Sequence, residues 1–349
     1  ELGGLQVDVL TFLRAVELAA EGDGSVAWNL GTNAIAGSAA LSLPDEGVRE
    51  IFDGGPDVIF AGTIGPMGGS AVPVDGGYVC NGRWRFGSGC QEADWMVGSC
   101  LVEERGHPRR GPDGAPEVRR ILLRASECTI LDTWDVTGLR GTGSHDWIVA
   151  DLFVPEHRTQ RFVTRWTRWP GTLYALPIHA YQGPHFSPVA TGIARAGLDA
   201  LAELAGSKNP RQSTGLLREE TQVQDWLGRA EALLGAAQAY RAVVTADIWA
   251  TVAAGQPATV EQQARCRLAA SHAVDSAIQA MDLAYRAGGS TSIERDHPLA
   301  RCWRDCHAVA QNVVVGPEYY AVAGRALLGL DPGPKLGLQP PGRPGYSPA

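Results

Sequence analysis

The sequence has no run of 18 apolar residues, so nothing in it has the length of a membrane-spanning helix. None of its seven cysteines forms a CxxC pair, and an odd count suits reduced thiols and a cytoplasmic location better than a disulfide framework. Cys302, Cys306 and His307 fall within six residues, but no second cluster completes a zinc site, so no metal is expected. Basic charge is scarce: 30 Lys and Arg stand against 38 Asp and Glu, which argues against a nucleic-acid partner. The six arginines between Arg105 and Arg124 are interrupted by Pro and Gly and read as a solvated loop. No signal peptide is recognisable, and the chain opens at Glu1 without Met, so its native N-terminus is expected to be missing.

What is present is a chain with 44% hydrophobic residues, long enough for two or three domains that share buried surface. Its texture changes twice. Residues 1–56 read as a helical domain in which residues 7–43 are rich in Ala and Leu, with helices predicted over Val7–Glu21 and Ser25–Ala40. Residues 57–160 carry short apolar runs (Val58–Ala61, Met96–Val102, Arg120–Leu123, Ile148–Val154) between turn residues, and Asp75-Gly76-Gly77 reads as a hairpin. Residues 161–330 read as a C-terminal helical domain, with helical spacing returning from about residue 185 over Val189–Leu204, Glu220–Val252 and Glu261–Arg286. A further helix is predicted from Asp296, as cap, to about Val315, and residues 331–349 read as a loose tail. The predicted fold is therefore mainly α with a central β domain and a C-terminal antiparallel bundle.

Three segments carry candidate chemistry. In the first, a strand ends in Phe86-Gly87-Ser88-Gly89. Either the two glycines admit a flat ligand and Ser88 bonds a ring nitrogen, or the strand simply ends tightly with Ser88 facing water. In the second, Gly138 to Asp146 reads as a loop with Thr142, Ser144 and His145 lining a site, or as a polar turn. His145 is a candidate acid or base, or a surface histidine. In the third, Arg304, His307 and Gln311 share one helical stripe and Asp305, Ala308 and Asn312 the next. That pattern fits a helix facing something polar, or an ion-paired face with Arg301 and Asp305 at i, i+4.

The order of Glu1-Leu-Gly-Gly-Leu5, Asp23-Gly-Ser-Val-Ala27, Gly82–Trp95, Gly138-Leu-Arg140, Val154-Pro155, Gly288-Gly289 and Pro298–Asp305 resembles the acyl-CoA dehydrogenase superfamily along nearly the whole chain. The resemblance implies an N-terminal helical domain, a middle β-barrel or sandwich domain and a C-terminal four-helix bundle. It also implies a homotetramer that binds flavin between the last two domains. Val74–Tyr78, Gly82–Gly89, Ala93-Asp-Trp95 and Gly141–Asp146 resemble the two-component flavin monooxygenases. That branch takes reduced FAD or FMN from a partner reductase and uses O2 to hydroxylate aromatic or other small organic substrates.

By the same resemblance Ser88 contacts the flavin ring, flanked by Trp84, Phe86, Gly87 and Gly89. Gly288 and Gly289 meet the cofactor's phosphate end. Trp84, Trp134 and Trp147 either shield the site or pack the core. The segment Arg161–Gln182, with Trp166, Trp169, Tyr174 and Tyr181, either walls a substrate pocket or serves a bundle interface. Asn312 and Val313 stand where many acyl-CoA dehydrogenases place a glutamate base, and neither side chain is a base. Asn33 and Asn312 stand where several monooxygenases have histidine. His145 and His307 then become the catalytic candidates, with Asn312 to orient a substrate group. FAD-dependent desaturation of an acyl thioester and a non-catalytic scaffold remain the alternatives.

Overall fold

The computed structural model describes residues 4–62, 68–111, 114–161, 169–177, 180, 184–211, 213–333 and 336. Helices α1 (Val9–Gly22), α2 (Gly24–Gly37) and α3 (Asp45–Phe52) come first. Asp8 starts α1 by accepting from the Thr11 N–H, and Asp23 starts α2 by accepting from Ser25 and Val26. The second carboxylate oxygen of Asp23 pairs with Arg301 at 2.8 Å, so one cap also fixes α2 against the C-terminal helices.

Among the described residues, nine strands then form one mixed sheet: β1 (Phe60–Gly62), β2 (Gly69–Val74), β3 (Gly77–Gly87), β4 (Trp95–Glu104), β5 (His107–Pro108), β6 (Val118–Arg124), β7 (Thr129–Leu131), β8 (His145–Pro155) and β9 (Thr159–Arg161). The main path runs β7-β8-β3-β2-β4-β6-β9, with β1 and β5 on β4. The turn between Val74 and Gly77 is Asp75-Gly76, with Gly76 at φ +76°, a conformation that glycine takes at no steric cost. Alternation along β4 sends Met96 and Cys100 to one face and Trp95 and Val97 to the other. The second face packs on Ala36, Leu43, Val48 and Ile51 of the N-terminal segment.

The α-helices that follow among the described residues are α4 (Thr172–Ala175), α5 (Ser187–Ser207), α6 (Thr221–Ala253), α7 (Val260–Gly288), α8 (Pro298–Val309) and α9 (Glu318–Leu327). Small side chains such as Ala190, Ala194, Ala270, Ala277 and Ala280 are buried where the bundle helices meet, which lets their axes approach closely. A charged seam joins α1 to this bundle. Buried Glu17 accepts from Gln238 at 3.0 Å, from Arg241 at 2.7 Å and from the Thr191 hydroxyl. Burial pushes the Glu17 carboxyl up, but Arg241, Thr191 and Gln238 more than offset that and leave it below the ordinary value.

Two boundaries differ from the sequence reading. The helix predicted to reach Val315 ends at Val309, because Asn312 turns its side chain onto the Val314 N–H and starts a short 3-10 turn instead. Its cap is His297, whose Nδ1 accepts from Leu299, rather than Asp296. Of the tail expected to be loose, Leu336 is fully buried against Ala264, Tyr319, Val322 and Ala323. Its other residues beyond Gly333 lie outside the described residues, as do Trp166 and Tyr181.

Candidate active site

The end of β3 makes the centre of the site. Phe86 sits at φ +63°, a conformation unusual for a non-glycine residue and typical of functional positions. Its ring is 52% exposed, meets Trp134 edge-on at 6.3 Å and lies 4.8 Å from the Arg85 guanidinium. Ser88 follows after a tight turn in which its N–H reaches the Phe86 carbonyl. The Ser88 hydroxyl is buried and doubly engaged. It accepts from the Trp28 indole N–H at 3.0 Å and lies 2.7 Å from the Ser144 hydroxyl. Ser144 lies 2.7 Å from the Thr142 hydroxyl, which donates to the Leu139 carbonyl at 2.9 Å.

The loop carrying these groups also docks on α8. A Cβ on Gly138 would fall 2.2 Å from the Arg304 carbonyl oxygen, so only glycine permits this approach. Leu139, held at φ +52°, donates its N–H to Asp305 at 2.6 Å. The strand end and α8 thus grip one loop. Burial pushes the Asp305 carboxyl up, and the Leu139 N–H, Arg301 and Arg304 only partly offset it. The i, i+4 pair expected between Arg301 and Asp305 is replaced by these two contacts to other elements, Asp23 for Arg301 and Leu139 for Asp305.

Several expected site residues have other work. Trp84 is 1% exposed, stacks on Trp147 at 4.2 Å and donates to the Ser99 carbonyl, so both indoles belong to the core of the sheet. Gly69, Gly82 and Gly98 make room for it, since a Cβ at each would lie within 3 Å of the Trp84 ring. Gly87 is packed against Trp147 and the His145 carbonyl, and Gly89 at φ +73° against Asn33. These two glycines answer to protein packing rather than to ligand approach. Gly288 is enclosed by Ser292 and Leu299, and Gly289 ends α7 at φ +58°. Lys208 Nζ bonds the Gly288 carbonyl at 2.6 Å, which puts a cation at that helix end.

The histidines are also placed differently. His145 Nδ1 accepts from two backbone N–H groups, those of Thr133 at 3.1 Å and Trp134 at 3.2 Å. Its proton therefore belongs on Nε2, and the lone pair that a base needs at Nδ1 is already taken. His307 Nε2 lies 3.0 Å from Asp282 on α7, which also accepts from Trp303. Two residues beyond Asp305, His307 points roughly 160° away around α8. Asp282 borders an open groove of about 720 Å³ between α6 and α7, shared with Arg229, His272 and Arg286. Asn312 serves as a cap.

The sequence reading missed Trp28, His185 and Phe186. Phe186 lies 4.6 Å from Trp28 and 3.8 Å from His185, which is itself buried beneath Gly31. The signal available was slight: Trp28, Asn29 and Asn33 share a face of α2, and Asn29 donates to the Thr142 carbonyl.

The family model described as acyl-CoA dehydrogenase, C-terminal domain, matches residues 185–317. The indole-3-acetate monooxygenase of Pseudomonas putida is 32% identical over 338 residues, covering 95% of this chain and 83% of that protein. The chain belongs to the acyl-CoA dehydrogenase superfamily. Within it the similarity runs to flavin-dependent monooxygenases. The oxygenase subunit HsaA of Mycobacterium tuberculosis is 31% identical over 345 residues, again covering 95% of this chain and 84% of that one. The solved structure of XiaF from a Streptomyces species, in complex with FADH2 and glycerol, superposes with a TM-score of 0.86 at 25% identity over 95% of this chain and 84% of that one. Superfamily membership accounts for the order of helices, sheet and helices. At the position compared with the glutamate base of many dehydrogenases, Asn312 caps a turn and the next residue is the exposed Val313.

Proposed function

We propose that this chain is the oxygenase component of a two-component flavin-dependent monooxygenase, accepting reduced FAD or FMN from a separate reductase and hydroxylating an aromatic substrate. The observation that carries the reading is the Phe86–Ser88 strand end. An aromatic face lies open beside a serine hydroxyl that keeps one unused lone pair after its two hydrogen bonds. That pairing suits a planar ring that carries a polar edge. Bound there, reduced flavin supplies two electrons to O2, so that one oxygen atom enters the substrate and the other leaves as water.

The chain's own residues do the rest. Phe86 and Trp134 offer apolar surface to the ring and to an aromatic substrate, and exclude water from one side. Ser88 fixes the ring edge. His185, linked through Phe186 to Trp28 and so to Ser88, is the histidine best placed to serve the substrate's polar group, in place of His145 and His307. Gly289 and Lys208 form a corner suited to an anionic cofactor tail from a neighbouring subunit of a homotetramer. Relatives named for indole-3-acetate and for resorcinol set the first substrates to try.

The test is oxygen consumption with reduced FMN and reduced FAD against an aromatic panel that includes indole-3-acetate. Formation of a hydroxylated product from at least one member supports the reading. Bleaching of bound FAD by an acyl-CoA under anaerobic conditions, with no hydroxylation, overturns it.

A further inference from the structure

The hydroxyl chain at Ser88 has a direction. One end is the Trp28 indole, which can only donate, and the other is the Leu139 carbonyl, which can only accept. Between them stand three hydroxyls with one proton each. Four contacts are made and four protons are available, and one arrangement uses them all. Trp28 donates to Ser88, Ser88 to Ser144, Ser144 to Thr142 and Thr142 to the Leu139 carbonyl. Reversing the three hydroxyls would forfeit the bond from Thr142 to Leu139. The backbone holds the members in register: Gly89 N–H donates to the Thr142 carbonyl at 2.8 Å, and the Asn33 amide, oriented to donate, reaches the Ser88 carbonyl at 3.1 Å.

The consequence concerns the ligand. With its proton committed to Ser144 and one lone pair to Trp28, Ser88 offers the site a single lone pair and no hydrogen. It is an acceptor. The reactive ring nitrogen of flavin carries N–H when reduced and a lone pair when oxidised. Reduced flavin therefore matches Ser88, whereas the oxidised ring sets lone pair against lone pair. The geometry points to Thr142 and Ser144 as positioning residues that polarise Ser88 and make the site discriminate between the two redox states of flavin. This rests on the flavin reading above and adds the cause of its redox preference.

The chain is buried, with Thr142 1% and Ser144 4% exposed, so water does not readily replace a missing member. Only the Thr142–Leu139 bond opposes reversal, so the bias is that of one net hydrogen bond, roughly threefold to tenfold in affinity ratio.

The experiment is anaerobic equilibrium binding of reduced and oxidised FMN and FAD to the whole chain and to Ser144→Ala, Thr142→Val and Trp28→Phe. Ser144→Ala frees the Ser88 proton to face the ring. The ratio of oxidised to reduced Kd should fall by roughly threefold to tenfold, chiefly through tighter binding of the oxidised form. The midpoint potential of the bound flavin should drop correspondingly by about 14–30 mV. Thr142→Val should act in the same direction, because Ser144 is then free to donate to Ser88. Trp28→Phe leaves the polarity intact, so both affinities should move together and the ratio should hold. An unchanged ratio in both Ser144→Ala and Thr142→Val overturns the inference while leaving flavin binding in place, as does an equal shift in Trp28→Phe. If the unaltered chain binds neither redox form, the flavin reading itself fails.

Discussion

Where α1 meets the bundle, Glu17 and Arg241 are buried as a pair, with Thr191 and Gln238 on the same carboxylate oxygen and Arg14 on the other at 3.1 Å. Where the Gly138–Ser144 loop meets α8 and β3, buried polar groups are just as dense but mostly uncharged. They are three hydroxyls, the Trp28 and Trp134 indoles and a single carboxylate, Asp305, whose bond is to a backbone N–H. The first seam closes its charges on one another, and its work is to hold domains together. On the proposed reading, the second leaves one acceptor site on Ser88 for a ligand, and it keeps a carboxylate without a directly bonded cation, an arrangement that costs stability.

That contrast is most sharply broken at Arg241. Arg241→Ala leaves the buried Glu17 carboxylate with only the exposed Arg14 as a cation, at 3.1 Å, and should cost about 3 kcal/mol in denaturant unfolding. A loss below about 1 kcal/mol would show that water reaches the seam. At the other seam the corresponding change should act on chemistry. Ser88→Ala removes the ring contact with little change in fold, and should raise hydrogen peroxide released per reduced flavin consumed by roughly twofold or more. An unchanged yield would leave Ser88 without the assigned role.

Asp305 separates charge from hydrogen bonding. Asp305→Ala leaves the Leu139 N–H buried and unpaired and should cost about 1–3 kcal/mol. Asp305→Asn keeps an acceptor and discards the buried charge. Because burial raises the folded carboxyl above its ordinary value of 3.8, the folded chain holds that proton more tightly than the unfolded one. The contribution of Asp305 to stability therefore falls as pH rises through that raised value. The asparagine variant should match or exceed the parent Tm at pH 8 and lose that advantage in acid, as thermal melts across pH would show.

The smallest effect is expected at Glu50, an ordinary structural cluster. Arg158, His157 and Arg124 hold its carboxyl down at about 2 against the opposing effect of burial. Its stabilisation is complete above the ordinary value of 4.5 and is lost as pH falls from there toward 2. Glu50→Gln should lower stability by about 1 kcal/mol at pH 7, discounted for solvent around the cluster, with the gap closing over that acid range.

The two seams also differ in how far they could be read in the sequence. Helical spacing marked α1, α2 and α5 to α7 because burial on one face leaves a period, and Asp75-Gly76 marked its hairpin because glycine alone takes that turn cheaply. The strand end at Phe86-Gly87-Ser88 was legible for the same local reason, since turn residues close the strand. Trp84 was left open between site wall and core, and the structure places it in the core. That Gly69 and Gly98 hollow out the core for it depends on pairing between strands. The polarity of Ser88 was beyond the sequence altogether. Trp28 lies 60 residues away and Ser144 56, and nothing periodic announces a hydrogen bond between loops. His145 shows the same limit, since its Nδ1 is filled by backbone N–H groups that carry no side-chain signature.

The most direct measurement is a crystal structure of the chain grown and soaked anaerobically with reduced FMN or FAD. The account expects the isoalloxazine against Phe86, with its ring N–H within hydrogen-bond distance of Ser88 Oγ and the contacts from Trp28 and Ser144 intact. A ring bound elsewhere, such as in the groove beside His272 and Asp282, with Ser88 untouched, would contradict it.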